Sequence, residues 1–263
     1  MKRFADVNGC KLAYLEAGAG EAVVLIHGLC GSSAYWEQVI PRFPAHYRVI
    51  APDLRGHGES SAPEAGPYTM ELMADDLAAL LDQLGIETAT LFGHSLGGYV
   101  TLAFAERHAD RLDAFSLVHS TAFPDSEEAQ AGRTKAAESI RENGMKPFMK
   151  TLAPKLFAPA HVETLAHEVE QAKRIGEKTD PTGAINTILG IKERPDRNRV
   201  LREASVPVLL VAGEHDQIIA PEKTFSVKGP HITEQMLADV GHISMLEAPE
   251  KLYNTVQQFL REK

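Results

Sequence analysis

The stretch Ala22-Val23-Val24-Leu25-Ile26 is apolar without a break, and Val206–Ala212 resumes the same pattern late in the chain. A strand with one wet face alternates polar and apolar residues. A strand that does not alternate is buried on both faces, as in a parallel sheet covered on both sides by helices. Further strands read over Tyr47–Ala51, Thr88–Phe92, Leu112–Val118 and Glu234–Val240, and the segment Lys2–Ala17 reads as two strands around the hairpin signal Asn8-Gly9. Between them lie helical stretches. Thr69–Leu84 has Thr69 as N-cap, Gly85 as stop and an apolar stripe of Leu77, Leu81 and Leu84; helices are also expected over Tyr35–Arg42, Tyr99–His108 and Ile243–Lys263. The expected fold is α/β, a mostly parallel central sheet with helices on both faces.

Between Ser120 and Arg199 the pattern changes. The chain is polar and helical in character, broken by Pro147, Pro154, Pro159, Pro181 and Pro195, with no strand-like run. The expected organisation is therefore a core built from residues 1–119 and 200–263, with a helical insertion, 120–199, over the sheet.

Gly93-His94-Ser95-Leu96-Gly97 sits between one of these strands and a helix. That context raises G-x-S-x-G above an ordinary strand–helix turn. A serine on so tight a turn is strained, and residues two positions away must be small to avoid collision. The turn offers the hydroxyl at the end of the sheet and sets the Leu96 N–H at a helix N-terminus, where developing negative charge is favoured. A serine hydroxyl needs a base. With the order nucleophile, acid, base, the base is His242, just beyond the last strand. The acid is Asp216, after the strand before it, with Glu214 as rival. The second oxyanion donor is the Leu29 N–H, from the loop His27-Gly28-Leu29. His27 itself is expected to be structural. Pocket-lining candidates are His119, Phe123, Met149, Phe157 and Met245.

The formal net charge of -9 repels phosphate backbones and argues against nucleic acid. No dense run of Lys and Arg points to a membrane surface, and no apolar run reaches the ~20 residues of a span. The first residues, Met1-Lys2-Arg3-Phe4, lack the apolar stretch of a secretory signal. Cys10 and Cys30 read as two free thiols. These features lead to the expectation of a soluble, cytoplasmic protein. No histidine or cysteine spacing suggests a metal site, and Gly28–Gly31 lacks the spacing of a nucleotide loop, so no cofactor is expected.

In their order along the chain, His27-Gly28, Asp53-Leu54-Arg55-Gly56-His57-Gly58-Glu59-Ser60, Gly93-His94-Ser95-Leu96-Gly97-Gly98, Gly213-Glu214-His215-Asp216 and Gly241-His242 resemble the α/β-hydrolase superfamily. The branch is that of small esterases, enol-lactonases, cofactor-free haloperoxidases and C–C hydrolases. The resemblance implies that Asp53–Ser60 is architectural and that 120–199 is a cap domain carrying substrate choice. It also implies a small-molecule ester or acyl substrate cleaved through an acyl-enzyme on Ser95. Enol-lactone opening and C–C cleavage share the same three residues, and a ligand receptor with little turnover can keep all of them. Relatives that open epoxides or displace halides carry aspartate where this chain has Ser95. Nothing in the residues bears on oligomeric state.

Overall fold

The computed structural model describes residues 2–64 and 66–263; Met1 and Ala65, both inside the expected core segment, lie outside them. The strands are β1 (Lys2–Val7), β2 (Cys10–Ala17), β3 (Glu21–Ile26), β4 (Tyr47–Pro52), β5 (Ala89–His94), β6 (Leu112–Val118), β7 (Val208–Gly213) and β8 (Ile232–Leu237). They form one sheet in the order β1-β2-β4-β3-β5-β6-β7-β8. Among the described residues only the β1–β2 and β2–β4 pairings are antiparallel. Asn8 and Gly9 both take positive φ, 46° and 72°, and close the first hairpin.

The unbroken apolar runs fill two cores. Val24 and Ile26 of β3, with Leu91, Leu117 and Leu210, face one side of the sheet and pack under α1 (Met70–Gln83) and α2 (Leu96–Arg107). Val23 and Leu25, with Phe92, Val118 and Val211, face the other side. There they meet Trp36 and the C-terminal helix. Alternate residues of one strand thus enter opposite cores, and neither face can be polar.

From β6 to β7 the chain is helical: α3 (Glu127–Asn143), α4 (Met145–Leu152), α5 (Ala166–Glu177), α6 (Pro181–Lys192) and α7 (Asn198–Glu203). Ala137, Ile140, Met145, Met149, Ala184 and Ile188 give this segment a small core of its own, which also receives Cys30 from the loop after β3. The expected boundary at 199 falls inside α7. Leu201 of α7 belongs to the core that packs under α1 and α2. The last helices are α8 (Pro221–Thr224), α9 (Ser244–Glu247) and α10 (Pro249–Glu262).

Three expected elements are corrected. Tyr35–Arg42 is not an α-helix but two 3-10 turns, Ser33–Trp36 and Ile40–Arg42. Pro41 lacks an N–H for a continuing helix, and a three-residue period brings buried Trp36 and Val39 onto one side. Ile243–Lys263 is broken at Ala248, pushed out of the helical region by Pro249. The last strand is Ile232–Leu237; Asp239, at φ 60°, turns the chain before Val240.

The parallel registers Ile26↔Gly93, His94↔Val118, Val118↔Val211 and Gly213↔Leu237 align the carboxyl ends of five strands. The loops carrying Leu29, Ser95, Asp216 and His242 therefore leave from one edge. β4 and β5 lie on opposite sides of β3, so a crevice opens at that edge, where open α/β sheets bind ligands.

Candidate active site

Ser95 is the sole residue between β5 and α2, and it takes φ 51°, ψ -112°, a costly conformation for a residue with a Cβ. Its surroundings impose this shape. The Ser95 N–H donates to Val118 O at 3.0 Å; its carbonyl accepts from the Gly98 N–H at 2.9 Å and from the Ser120 hydroxyl at 2.7 Å. A Cβ on Gly93 would lie 2.3 Å from Gly97 O, and one on Gly97 would lie 2.5 Å from Ile26 O. Leu96 opens α2, so its N–H has no partner within the helix and sits at the positive end of the dipole.

Asp216 follows β7 in a turn in which its Oδ1 accepts the N–H groups of Ile218 (2.8 Å) and Ile219 (2.9 Å). Its Oδ2 accepts from Nδ1 of His242 at 2.8 Å. Both side chains are almost wholly buried. Burial alone would raise the Asp216 carboxyl. The charge and hydrogen bond of His242, the nearby His119 and the Ile219 N–H outweigh it, and the carboxyl is held below the usual carboxylate range. With Nδ1–H given to Asp216, Nε2 of His242 is left as the acceptor.

The loop carrying His242 is clamped from three sides. The His242 N–H donates to Leu156 O at 2.8 Å, and its carbonyl accepts from His94 Nε2 at 2.8 Å. Buried Glu247 accepts the Gly241 N–H (2.7 Å), the Ala158 N–H (2.8 Å) and His161 Nδ1 (2.7 Å). The rival acid Glu214 is exposed and accepts the Asp239 N–H at 3.0 Å, away from His242. With His215 and Asp239 it forms an exposed cluster.

His27 shapes the loop after β3. Its Nδ1 donates to Gly28 O at 2.7 Å and its Nε2 accepts the Leu54 N–H at 2.9 Å, and burial keeps the ring neutral. A Cβ on Gly28 would stand 2.7 Å from His94 Nδ1 and 3.2 Å from the Ser95 Cβ, so glycine lets this loop press against the serine. Asp53 anchors the neighbouring loop by accepting the Ser33 N–H (2.7 Å), the Glu59 N–H (2.9 Å) and Lys2 Nζ (2.8 Å). Arg55 and Asp76 form a buried bidentate pair. His27, Asp53, Arg55 and Asp76 are thus engaged in holding loops.

Leu29, Ser95, Leu96 and His242 line one cavity of about 210 Å³. A family model described as alpha/beta hydrolase fold matches residues 21–249, a span containing every one of these residues. The chain belongs to the α/β-hydrolase fold family. Among solved structures it resembles a thermophilic esterase from Thermogutta terrifontis (malate bound), 32% identical, covering 100% of this chain and 98% of that one with a TM-score of 0.93. It is 30% identical to 3-oxoadipate enol-lactonase 2 of Acinetobacter baylyi over 91% of this chain and 88% of that protein. It is 28% identical to Lipase 3 of Moraxella sp. (strain TA144) over 98% of this chain and 84% of that protein.

In this α/β-hydrolase the cavity differs from the expected lining. Of the five candidates, Phe123 lines it. His119, Met149, Phe157 and Met245 do not. His119 lies behind Asp216, with Nε2 2.7 Å from Ser244 Oγ and Nδ1 3.7 Å from Asp216 Oδ2. Met149 fills the core of the insertion, against Gly176. Phe157 and Met245 are buried in the other core, with Trp36 and the C-terminal helix. Leu156, one residue before Phe157, faces the cavity instead.

Sequence reasoning missed Tyr35, His94, Tyr99, Thr121, Asp125, Arg133, Leu152, Ile191, Arg194, Ile218, Ile219 and Lys223, all of which line the cavity. Ile218 and Ile219 follow directly on Asp216, and Tyr99 stands one helical turn after Ser95. Proximity to the motifs was the only signal for these. His94 belongs to the motif itself, and the others come from the insertion, a 3-10 turn, α8 or loops, where no periodicity marks the inward face. No helix among the described residues is long and apolar enough to cross a membrane. Cys10 and Cys30 are both free and buried.

Proposed function

We propose that this α/β-hydrolase is a serine hydrolase that cleaves a carboxylic ester through an acyl-enzyme on Ser95. The observation that carries the reading is the 2.8 Å bond from His242 Nδ1 to Asp216 Oδ2, which leaves the other imidazole nitrogen as a base in the cavity that Ser95 also lines. Ser95 Oγ attacks the ester carbonyl while Nε2 of His242 takes its proton. The tetrahedral oxyanion accepts the N–H groups of Leu29 and Leu96, each donor contributing roughly 3–4 kcal/mol of barrier lowering. The alcohol leaves with the proton from His242. Water, deprotonated by the same nitrogen, then releases the acid and restores the serine. Asp216 stays ionised throughout and balances the imidazolium.

Residues 120–199 act as the cap over this site and decide which acyl group enters. A lactone is a cyclic ester and opens by the same steps. The 30% identity to an enol-lactonase supports this as the second reading.

The test is multiple turnover of a short p-nitrophenyl ester. Ser95→Ala is expected to lower kcat by roughly 10⁴-fold or more without lowering the thermal unfolding temperature. Activity retained in that variant contradicts the proposal, as does a wild-type chain that binds the ester and never turns it over.

A further inference from the structure

The cavity wall away from the catalytic loops is charged, and its charges do not balance. Arg133, Arg194 and Lys223 line it with a single carboxylate, Asp125, among the described residues. This excess of positive charge stands in a chain whose net charge is -9. Asp125 is buried and answers both guanidinium groups, with Oδ1 2.8 Å from Arg194 Nη1 and Oδ2 3.0 Å from Arg133 Nε. Lys223 adds a further positive charge at the exposed rim.

Arg194 is the unusual member. Its side chain is 5% exposed, and its guanidinium stacks on the Tyr99 ring, 4.0 Å from the centroid. The contacts it makes, to Ile191 O at 3.0 Å and to Asp125, both leave from Nη1. Its Nε is buried with no acceptor. Elsewhere in this chain the edge formed by Nε and Nη2 is where an arginine grips a carboxylate: Arg55 holds Asp76 this way at 2.6 and 2.8 Å, and Arg107 holds Asp75 at 2.9 and 2.8 Å. On Arg194 the Nε of that edge is unanswered. A buried donor left open is costly, and a bidentate carboxylate is the ligand that suits it.

Its position fits a substrate contact. Ser95, Tyr99 and the guanidinium stacked on Tyr99 all line the same cavity. Leu29, Leu152, Leu156 and Ile191 supply apolar wall to the same cavity. Resting on the serine-hydrolase reading, we infer that Arg194, supported by Arg133 and Lys223, binds a carboxylate at the far end of the acyl group. The preferred substrates are half-esters of short dicarboxylic acids. The field of a cationic wall in a cleft both selects such an anion and speeds its arrival.

The experiment compares kcat/KM for monoethyl glutarate and ethyl pentanoate, esters of equal acyl length that differ in the terminal carboxylate, followed by titration of the acid released. The wild-type chain is expected to favour the half-ester by about tenfold or more, the scale of one charge-assisted hydrogen bond, and added salt shrinks the preference. Arg194→Gln is expected to erase most of the preference, mainly through KM for the half-ester. Lys223→Ala, at an exposed position that does not threaten folding, lowers it several-fold. The inference is overturned by a wild-type preference for the neutral ester. It is equally overturned if Arg194→Gln and Lys223→Ala lower both esters in proportion, because Asp125 then only links Arg133 of α3 to Arg194 just beyond α6. Good turnover of the neutral ester alone removes the carboxylate subsite and leaves the hydrolase reading standing. No turnover of either ester removes both.

Discussion

Ser95 keeps its strained angles because its neighbours leave no room for relaxation. Gly97 is the sharpest case: a methyl group there would meet Ile26 O at 2.5 Å and His27 O at 2.9 Å, backbone atoms at the end of β3 and the start of the loop that follows it. Gly97→Ala must therefore push α2 away from β3. The expected cost is about 1–3 kcal/mol of stability, read as a lower midpoint in urea denaturation. It also displaces the hydroxyl, and a shift of about 1 Å is expected to lower kcat by roughly 100-fold. Unchanged kcat in that variant would mean that the turn does not position the serine. At this scale Ser95, Asp216 and His242 stood out in the sequence because each lies beyond a recognisable strand. The wall residues were not. Phe157 and Leu156 are adjacent, and which of them faces the cavity depends on how a short 3-10 turn, Ala153–Leu156, sits against the loop of His242.

At the scale of elements, strands were read well where burial on both faces left no polar residue to confuse the pattern. β3 and β7 lie within a residue or two of their expected bounds. Errors gathered where tertiary packing overrides local preference. Tyr35–Arg42 has helix-compatible residues, but Tyr35, Trp36 and Val39 must all be buried in the link between β3 and β4. β8 is an edge strand with exposed residues, so its register comes from pairing with β7 and not from its own composition. The insertion was legible as helical but not in its inward faces. α3 is mostly polar and buries only Ala137 and Ile140, and a stripe that narrow cannot show which side overlies the cavity.

For the molecule as a whole, the sheet edge matters most, because it gathers loops far apart in sequence into one site. Burial of ionisable rings is the accompanying weakness. Removal from water lowers both His57 and His119 to about 3, and burial also lowers His27 and His94. A ring depressed in the fold is neutral there, while the same ring in the unfolded chain binds a proton near its ordinary value of 6.5. Between about pH 6.5 and 3 the unfolded state holds more protons, so stability falls as the pH falls. His57 and His119 each contribute a slope of about 1.4 kcal/mol per pH unit across that window. Urea denaturation at pH 7.5 and pH 5 is expected to show a loss of several kcal/mol at the lower pH; equal stability at both would mean that these rings are not buried neutral.

The central claim is that Ser95 is made nucleophilic by His242 and Asp216. Its most direct test is to treat the folded chain with a fluorophosphonate and locate the adduct by peptide mass mapping. Modification of Ser95 alone is expected, abolished in His242→Ala under the same conditions. An adduct on any other residue, or equal labelling of Ser95 without the imidazole, would contradict it.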